Sequence, residues 1–401
     1  NMFCMPYNPA TAGNCLGIPY MDHAETDLNP RYERGTLQEV YEMIGKDIEA
    51  GIPLIDDTAY SVPKYHFNYK AACCFASRYY LFMQDWDNAI KYATMALTSN
   101  PSSLLRDYSA IAALPNGTSR HEEYVNSAST ANFLLQAATS NSGLLFDWYS
   151  TAGRYSHGKL QGIYETVQPK KGGPWGSSVT FKAPHAVLAS SGKYVLPRTW
   201  RVFQYTDPVA GTGFNKAISV LFTSEEALLN RAEAYIMKMN EDPTALDKAL
   251  EDINLYAANL FSAGFKSMTE ASIIKWATET YPDYSELYVG KTSVSSPQTL
   301  NPKKKLHAAP YNTLEEGGPQ ESMLQALIFM RRYQFLHEGM RWFDTRRFGI
   351  TVYRYLLDED AETVVQITDQ ISDENGTADP RRALQLPADV IAAGLTPNPR
   401  K

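Results

Sequence analysis

Asp147, Trp148 and Tyr149 stand together, with Arg154 a few residues on. Arg198, Trp200 and Tyr205 form a second group, with Asn215 further along. Trp175 sits apart in KKGGPWGSS (Lys170–Ser178), a glycine-rich turn whose neighbours leave the ring little to pack on. Flat rings beside carboxylate, guanidinium and amide groups suit the apolar face and hydroxyl rim of a sugar. The same rings also pack loops onto helices, and most of the 26 Tyr, 16 Phe and 6 Trp belong in the core. Trp175 is the strongest surface candidate among them.

Residue patterns for covalent or metal chemistry are missing. His23, His66, His121, His157, His185, His307 and His337 are scattered, with no HExxH and no pair four residues apart. No GxSxG elbow and no phosphate-cradling GxxxxGK[ST] loop occurs. The run Gly172–Gly176 lacks the lysine and following helix that a phosphate loop needs. Adjacent acids at Asp56-Asp57, Glu122-Glu123 and Asp358–Asp360 would need spatial pairing across a glycosidic bond to act as acid and base. Four cysteines without a CxxC give neither a disulfide framework nor a zinc site. Cys73 and Cys74 are expected as buried thiols, and Cys4 with Cys15 remains a possible pair. The expectation is a binding protein with no catalytic residue, no cofactor and no metal.

Bulk properties narrow the partners. A net charge of −7 excludes nucleic acid, whose phosphates demand a basic surface. Lys303–Lys305 is the one basic cluster, and it reads as a solvated loop. No run reaches the ~18 apolar residues of a membrane span. The start at Asn1-Met2 does not look like a translation start, so residues are expected upstream.

Helices must position the candidate groups, and their signals are strong. Thr36 and Glu39 form a capping box for a helix over 36–50, with Leu37, Val40, Tyr41, Ile44 and Ile48 on one side. Residues 68–101 follow the ~34-residue tetratricopeptide pattern: Ser77 and Tyr80 in the first helix, Ala89 and Ala96 in the second. Small residues there let two antiparallel helices approach closely. A second hairpin is expected over 223–260, capped by Thr223, with Ala232 and Tyr235 at the repeat spacing. A third pairs a helix over 320–337, its apolar face crossed by Arg331, with whatever follows Gly339. Gly339 suits a left-handed helix cap, and Arg341, Asp344 and Arg347 are spaced to bring opposite charges together on a turn. The 36–50 helix lacks a partner in this sequence. One domain over 1–401 is expected, with helical repeats at about 36–101, 223–260 and 320–349. Loop-rich insertions lie at about 102–222 and 281–319, before a tail over 350–401. Within 102–222 only 129–138 suggests a helix.

The run RRYQFLHEGMRWFDTRR resembles the RR-x-E-L-x-x-E-G-x-R-W-F-D-L-x-R signature of the SusD/RagB family, surface nutrient-binding lipoproteins of Bacteroidetes. Arg331, Arg332, Glu338, Gly339, Arg341, Trp342, Phe343, Asp344 and Arg347 match; Gln334 and Thr345 depart from it, as does Met330 just before it. Arg231–Tyr235 with Asp252–Asn254, and Leu386, Pro387, Asp389, Val390, Asn398 and Pro399, resemble further family signals. The resemblance implies a mainly α fold of tetratricopeptide-type hairpins with a large loop-rich half. It also implies an oligosaccharide ligand and a SusC-like TonB-dependent transporter as partner. The place would be the outer face of the outer membrane, held by an N-terminal lipid anchor absent from this chain. A peptide-capturing RagB-like protein and an intracellular tetratricopeptide adaptor are the alternatives. The signature residues are expected to be structural, and the sugar-binding aromatics carry no fixed family motif.

Overall fold

The computed structural model describes residues 2–26, 30–143, 173–176, 178–182, 187–188, 194–195, 198, 200, 202–280, 303–358, 364–373 and 377–400. Its described helices are α1 Leu37–Gly51, α2 Tyr69–Met83, α3 Trp86–Leu97, α4 Tyr108–Ala113, α5 Gly117–Tyr124, α6 Ser224–Lys238, α7 Ala245–Leu260, α8 Glu270–Lys275, α9 Pro319–Gln334, α10 Met340–Arg347 and α11 Ala388–Ala392. Its described strands are β1 Asn132–Thr139, β2 Thr180–Phe181, β3 Val187–Leu188, β4 Tyr194–Val195, β5 Val202–Asp207, β6 Thr212–Thr223, β7 Phe261–Ala263, β8 Val352–Leu357 and β9 Val364–Ile371. The fold is mainly helical, as the repeat pattern requires.

The capping box of α1 is complete: the Glu39 amide donates to Thr36 Oγ1 at 3.1 Å and the Thr36 amide to Glu39 Oε2 at 2.7 Å. Leu37, Val40, Tyr41 and Ile48 are its buried face. The helix is not partnerless. Tyr41 stacks on Tyr79 of α2 at 5.6 Å, and the Tyr79 hydroxyl donates to the Tyr41 carbonyl.

In the α2–α3 hairpin Ser77, Ala89 and Ala96 are fully buried, and the close approach they allow lets Tyr80 stack parallel to Tyr92 at 5.4 Å. Asn68 caps α2 and Asp85 caps α3, with Gln84 between them in a left-handed turn at φ 65°. The α6–α7 hairpin is tied by a two-pronged ion pair, Arg231 Nε and Nη2 donating to Asp252 at 2.8 and 2.7 Å. Helix α3 packs on α6, and α6 packs on α7 and α9. Helix α9 is buried on nearly every side, from Glu321 to Gln334, which marks it as the central element.

Two expectations are corrected. Residues 129–138 are not helical: β1 covers most of them and pairs antiparallel with β6, which also pairs with β5. An apolar run this short is ambiguous between helix and strand until a partner strand settles it. Gly339 is left-handed at φ 81°, but α9 ends five residues earlier at Gln334, so the glycine leads into α10 instead of capping α9. The left-handed cap with the expected chemistry belongs to Gly349 (φ 67°), after α10. There the Ile350 amide reaches the Thr345 carbonyl at 2.9 Å and the Gly349 amide that of Arg346 at 3.3 Å, the paired bonds of a Schellman motif.

Candidate ligand site

The arginine-rich signature builds a buried ionic cluster. Arg331 Nε donates to both oxygens of Asp344 at 3.2 and 3.1 Å, and its Nη1 to Asn230 Oδ1 at 2.8 Å. Arg347 Nη2 donates to Asp344 at 3.0 Å and to Glu233 at 2.7 Å. Burial alone would raise the Asp344 pKa, yet the two guanidinium groups hold its carboxyl below the ordinary aspartate range. Glu338 accepts from the Tyr124 hydroxyl at 2.6 Å and lies 3.4 Å from Arg198; burial pushes its pKa up. Arg332, Arg341 and Trp342 are half-buried on α9 and α10. Arg331, Asp344 and Arg347 tie α6, α9 and α10 together. Arg198, close in sequence to the aromatic candidates, belongs to this frame: it donates to the Gln334 carbonyl and lies under the Tyr124 ring.

Trp175 is not a surface platform. It is only 4% exposed, enclosed by Phe181, Phe261, Phe329 and Tyr333 at 5.2–6.3 Å between ring centres. The neighbouring glycines serve the opposite purpose to the one expected of them. A Cβ on Gly173 would fall 2.5 Å from the indole, so glycine there is what lets the ring fold back into the core. Phe261, Phe329 and Tyr333, three of the four rings that cover it, are distant in sequence, which no local reading reveals.

Trp200 is half-buried, its ring edge 2.8 Å from where a Cβ on Gly117 would stand at the start of α5. Tyr205 is the open ring. It is 58% exposed on β5 and meets Phe203 edge-on at 4.8 Å. Its cross-strand partner is Gly213, and that of Phe203 is Asn215. Directly opposed residues share a face, so Tyr205, Phe203 and Asn215 form one aromatic face with an amide, which the glycine leaves uncovered. Asn215 Nδ2 donates to Asn141 Oδ1 at 3.2 Å, placing a second amide at its edge. Period-two spacing of Phe203 and Tyr205 is the signal that would have found Phe203. Asp147, Trp148, Tyr149 and Arg154 lie outside the described residues.

Of the acidic pairs, Asp56 accepts from the Thr58 amide, Asp57 from the Tyr69 amide at the start of α2, and Glu123 from the Asn126 side chain, while Asp360 lies outside the described residues. The four cysteines are free thiols, and Cys73 is pushed up to about 11 by burial. Among the described residues no group of three or more His, Cys, Asp or Glu is placed to hold a metal ion, and no helix is long and apolar enough to cross a membrane.

Comparison with known proteins agrees with this architecture. The profile of a family, SusD-like_3, described as "Starch-binding associating with outer membrane", matches residues 1–81. A SusD superfamily protein from Bacteroides vulgatus shares 18% identity over 99% of this chain and 73% of its own, with a TM-score of 0.55. One from Bacteroides thetaiotaomicron shares 17% over 100% and 74%, with a TM-score of 0.52. A SusD-like carbohydrate binding protein from Bacteroides vulgatus shares 16% over 98% and 72%, with a TM-score of 0.53. No curated protein sequence matches. The class is therefore a tetratricopeptide-type helical scaffold carrying a loop-rich half. Within that class the fold of the described residues is similar to that of the SusD superfamily structures, and residues 1–81 match the SusD-like family model in sequence.

Proposed function

We propose that this chain is a non-catalytic carbohydrate-binding protein of the bacterial cell surface. It holds an oligosaccharide and delivers it to a SusC-like TonB-dependent transporter, the helical scaffold facing the transporter and the loop-rich half facing the sugar. The observation that carries the reading is the SusD-like match of residues 1–81 within a fold shared over almost the whole chain. The family description supplies the outer-membrane setting. A lipid anchor upstream would hold the chain there.

The Tyr205 face supplies the chemistry: an uncovered ring for a sugar's apolar side and amides at its edge for hydroxyls. Trp200, Trp148, Tyr149, Asp147 and Arg154 are proposed as further contributors to the ligand surface. Calorimetric titration against a panel of plant and host polysaccharides and a mixed peptide digest tests the reading. Glycan binding that falls at least tenfold in Tyr205→Ala, with an unchanged melting temperature, is the expected result. Binding to peptides alone would replace it with a RagB-like capture role.

A further inference from the structure

The N-terminal segment, the loop before α9 and the end of α10 enclose a cavity of about 330 Å³ that no described function uses. That volume is at the small end of the ~300–1,000 Å³ range of ligand pockets, room for roughly one or two sugar rings. Its walls are fixed. The amides of His307 and Ala308 both donate to the Phe348 carbonyl at the capped end of α10, at 3.1 and 3.3 Å. On the opposite side Asn8 is held by its own turn, its Oδ1 accepting from the Ala10 amide at 2.9 Å.

Several polar groups on these walls are unclaimed. The Thr11 hydroxyl, the His307 ring and the Asn312 amide line the cavity and have no hydrogen-bond partner among the described residues, and the Asn8 side chain keeps its Nδ2 available. Asp373 is 3% exposed; one oxygen accepts from Arg382 Nε at 2.6 Å and from the Asp379 amide at 3.0 Å, which leaves the other to the cavity side. Of the ionic groups on the walls, Arg347 pairs with Glu233 and Asp344, Asp373 pairs with Arg382, and Arg346 donates to the Cys4 carbonyl. Tyr7 adds a half-buried ring. Amide, hydroxyl and imidazole groups around an aromatic wall, backed by guanidinium and carboxylate groups, match the hydroxyls of a polyol and not an apolar chain.

We propose that this cavity is a second carbohydrate subsite, which takes a single neutral sugar ring. The proposal rests on the carbohydrate-binding reading and adds a site distinct from the open Tyr205 face. The two differ in what they accept: a flat face takes any stretch of a chain, whereas a pocket of this size takes a free monosaccharide or a chain end.

The test uses free neutral monosaccharides, glucose, galactose, mannose and xylose, each titrated against the intact protein. Carbethoxylation of His307 by diethylpyrocarbonate, mapped by mass spectrometry, is the second readout. One of the sugars is expected to bind and to protect His307. Asn312→Ala should weaken that binding at least tenfold, and Asn312→Trp should abolish it by filling the space, both with unchanged melting. Tyr205→Ala should leave it intact. Monosaccharide binding that ignores both Asn312 variants, or that gives His307 no protection, overturns the cavity. Polysaccharide binding lost in Tyr205→Ala, with no monosaccharide bound, overturns the cavity and leaves the carbohydrate reading standing. A protein that binds neither sugars nor polysaccharides overturns both.

Discussion

Asp344 shows how one side chain can set the stability of the molecule over a pH range. Its carboxyl is buried between Arg331 and Arg347, which hold its pKa below the ordinary value of 3.8. The folded state therefore favours the ionised form more than the unfolded chain does. That stabilisation is complete above about pH 5 and is lost as pH falls through 3.8 toward the folded-state value. Melting followed from pH 6 to pH 2 should show the loss, and Asp344→Asn should remove this part of the slope. The same variant leaves two buried guanidinium groups short of a partner, so it should cost about 3–5 kcal/mol at neutral pH. An Asp344→Asn protein that melts like the parent would show the cluster to be ornamental. Trp175 makes the converse point. Its spacing among glycines reads as an exposed ring, but four aromatic neighbours from β2, β7 and α9 enclose it. Trp175→Ala is expected to lower stability by about 3–5 kcal/mol through the cavity it leaves. Glycan affinity measured well below the melting point should be unchanged.

At the scale of elements, what was legible in the sequence follows a physical rule. Helix hairpins and their caps depend on neighbours within four residues, so Thr36 with Glu39, the small residues Ser77, Ala89 and Ala96, and the Thr223 cap were all readable. Arg231 and Asp252 were recognisable as family signals, and the structure gives their purpose as the clasp between α6 and α7. What could not be read is pairing across distance: β1 needs β6 to be a strand, and Trp175 needs residues up to 158 positions away to be core. Part of the proposed ligand surface was readable, since Tyr205 was singled out, but its neighbour Phe203 and the uncovering role of Gly213 depend on strand register. Asn68 joins the two kinds of information. Its Oδ1 caps α2 by accepting from the Ala71 amide at 3.0 Å, and its Nδ2 donates to the Phe133 carbonyl of β1 at 2.6 Å. Asn68→Ala removes a cap and leaves a buried carbonyl without its donor, a loss of about 2–3 kcal/mol. Denaturant unfolding would measure it. A loss under about 0.5 kcal/mol would mean that water or a backbone shift replaces both bonds.

The whole molecule is joined through α6. Glu225 accepts from the Arg106 amide at 3.0 Å, Glu226 from Arg78 of α2 at 2.6 Å, and Glu233 from Arg347 of α10 at 2.7 Å. Asn230 reaches Ser77 of α2 at 3.1 Å and Arg331 of α9 at 2.8 Å, and Arg231 holds α7. The three glutamates are at most 2% exposed. Removing any one packed element would uncover a buried charge at a cost of about 3–5 kcal/mol, besides the apolar surface it exposes. That is a large fraction of the ~5–15 kcal/mol that stabilises a typical domain, so partial unfolding should be disfavoured relative to complete unfolding. The first hairpin, the central hairpin and the α9–α10 pair are therefore expected to melt as one unit, despite the loop-rich segments between them. Far-UV circular dichroism reports the helices, and tryptophan fluorescence reports the six tryptophans, the buried Trp175 and Trp276 among them. The two melting curves should superimpose, and slowly exchanging amides in α2, α6 and α9 should share one opening free energy. Two separated transitions, with α2 and α3 melting ahead of α9, would divide the chain into independent units. The glutamates of α6 would then be local braces and not the joint of a single domain.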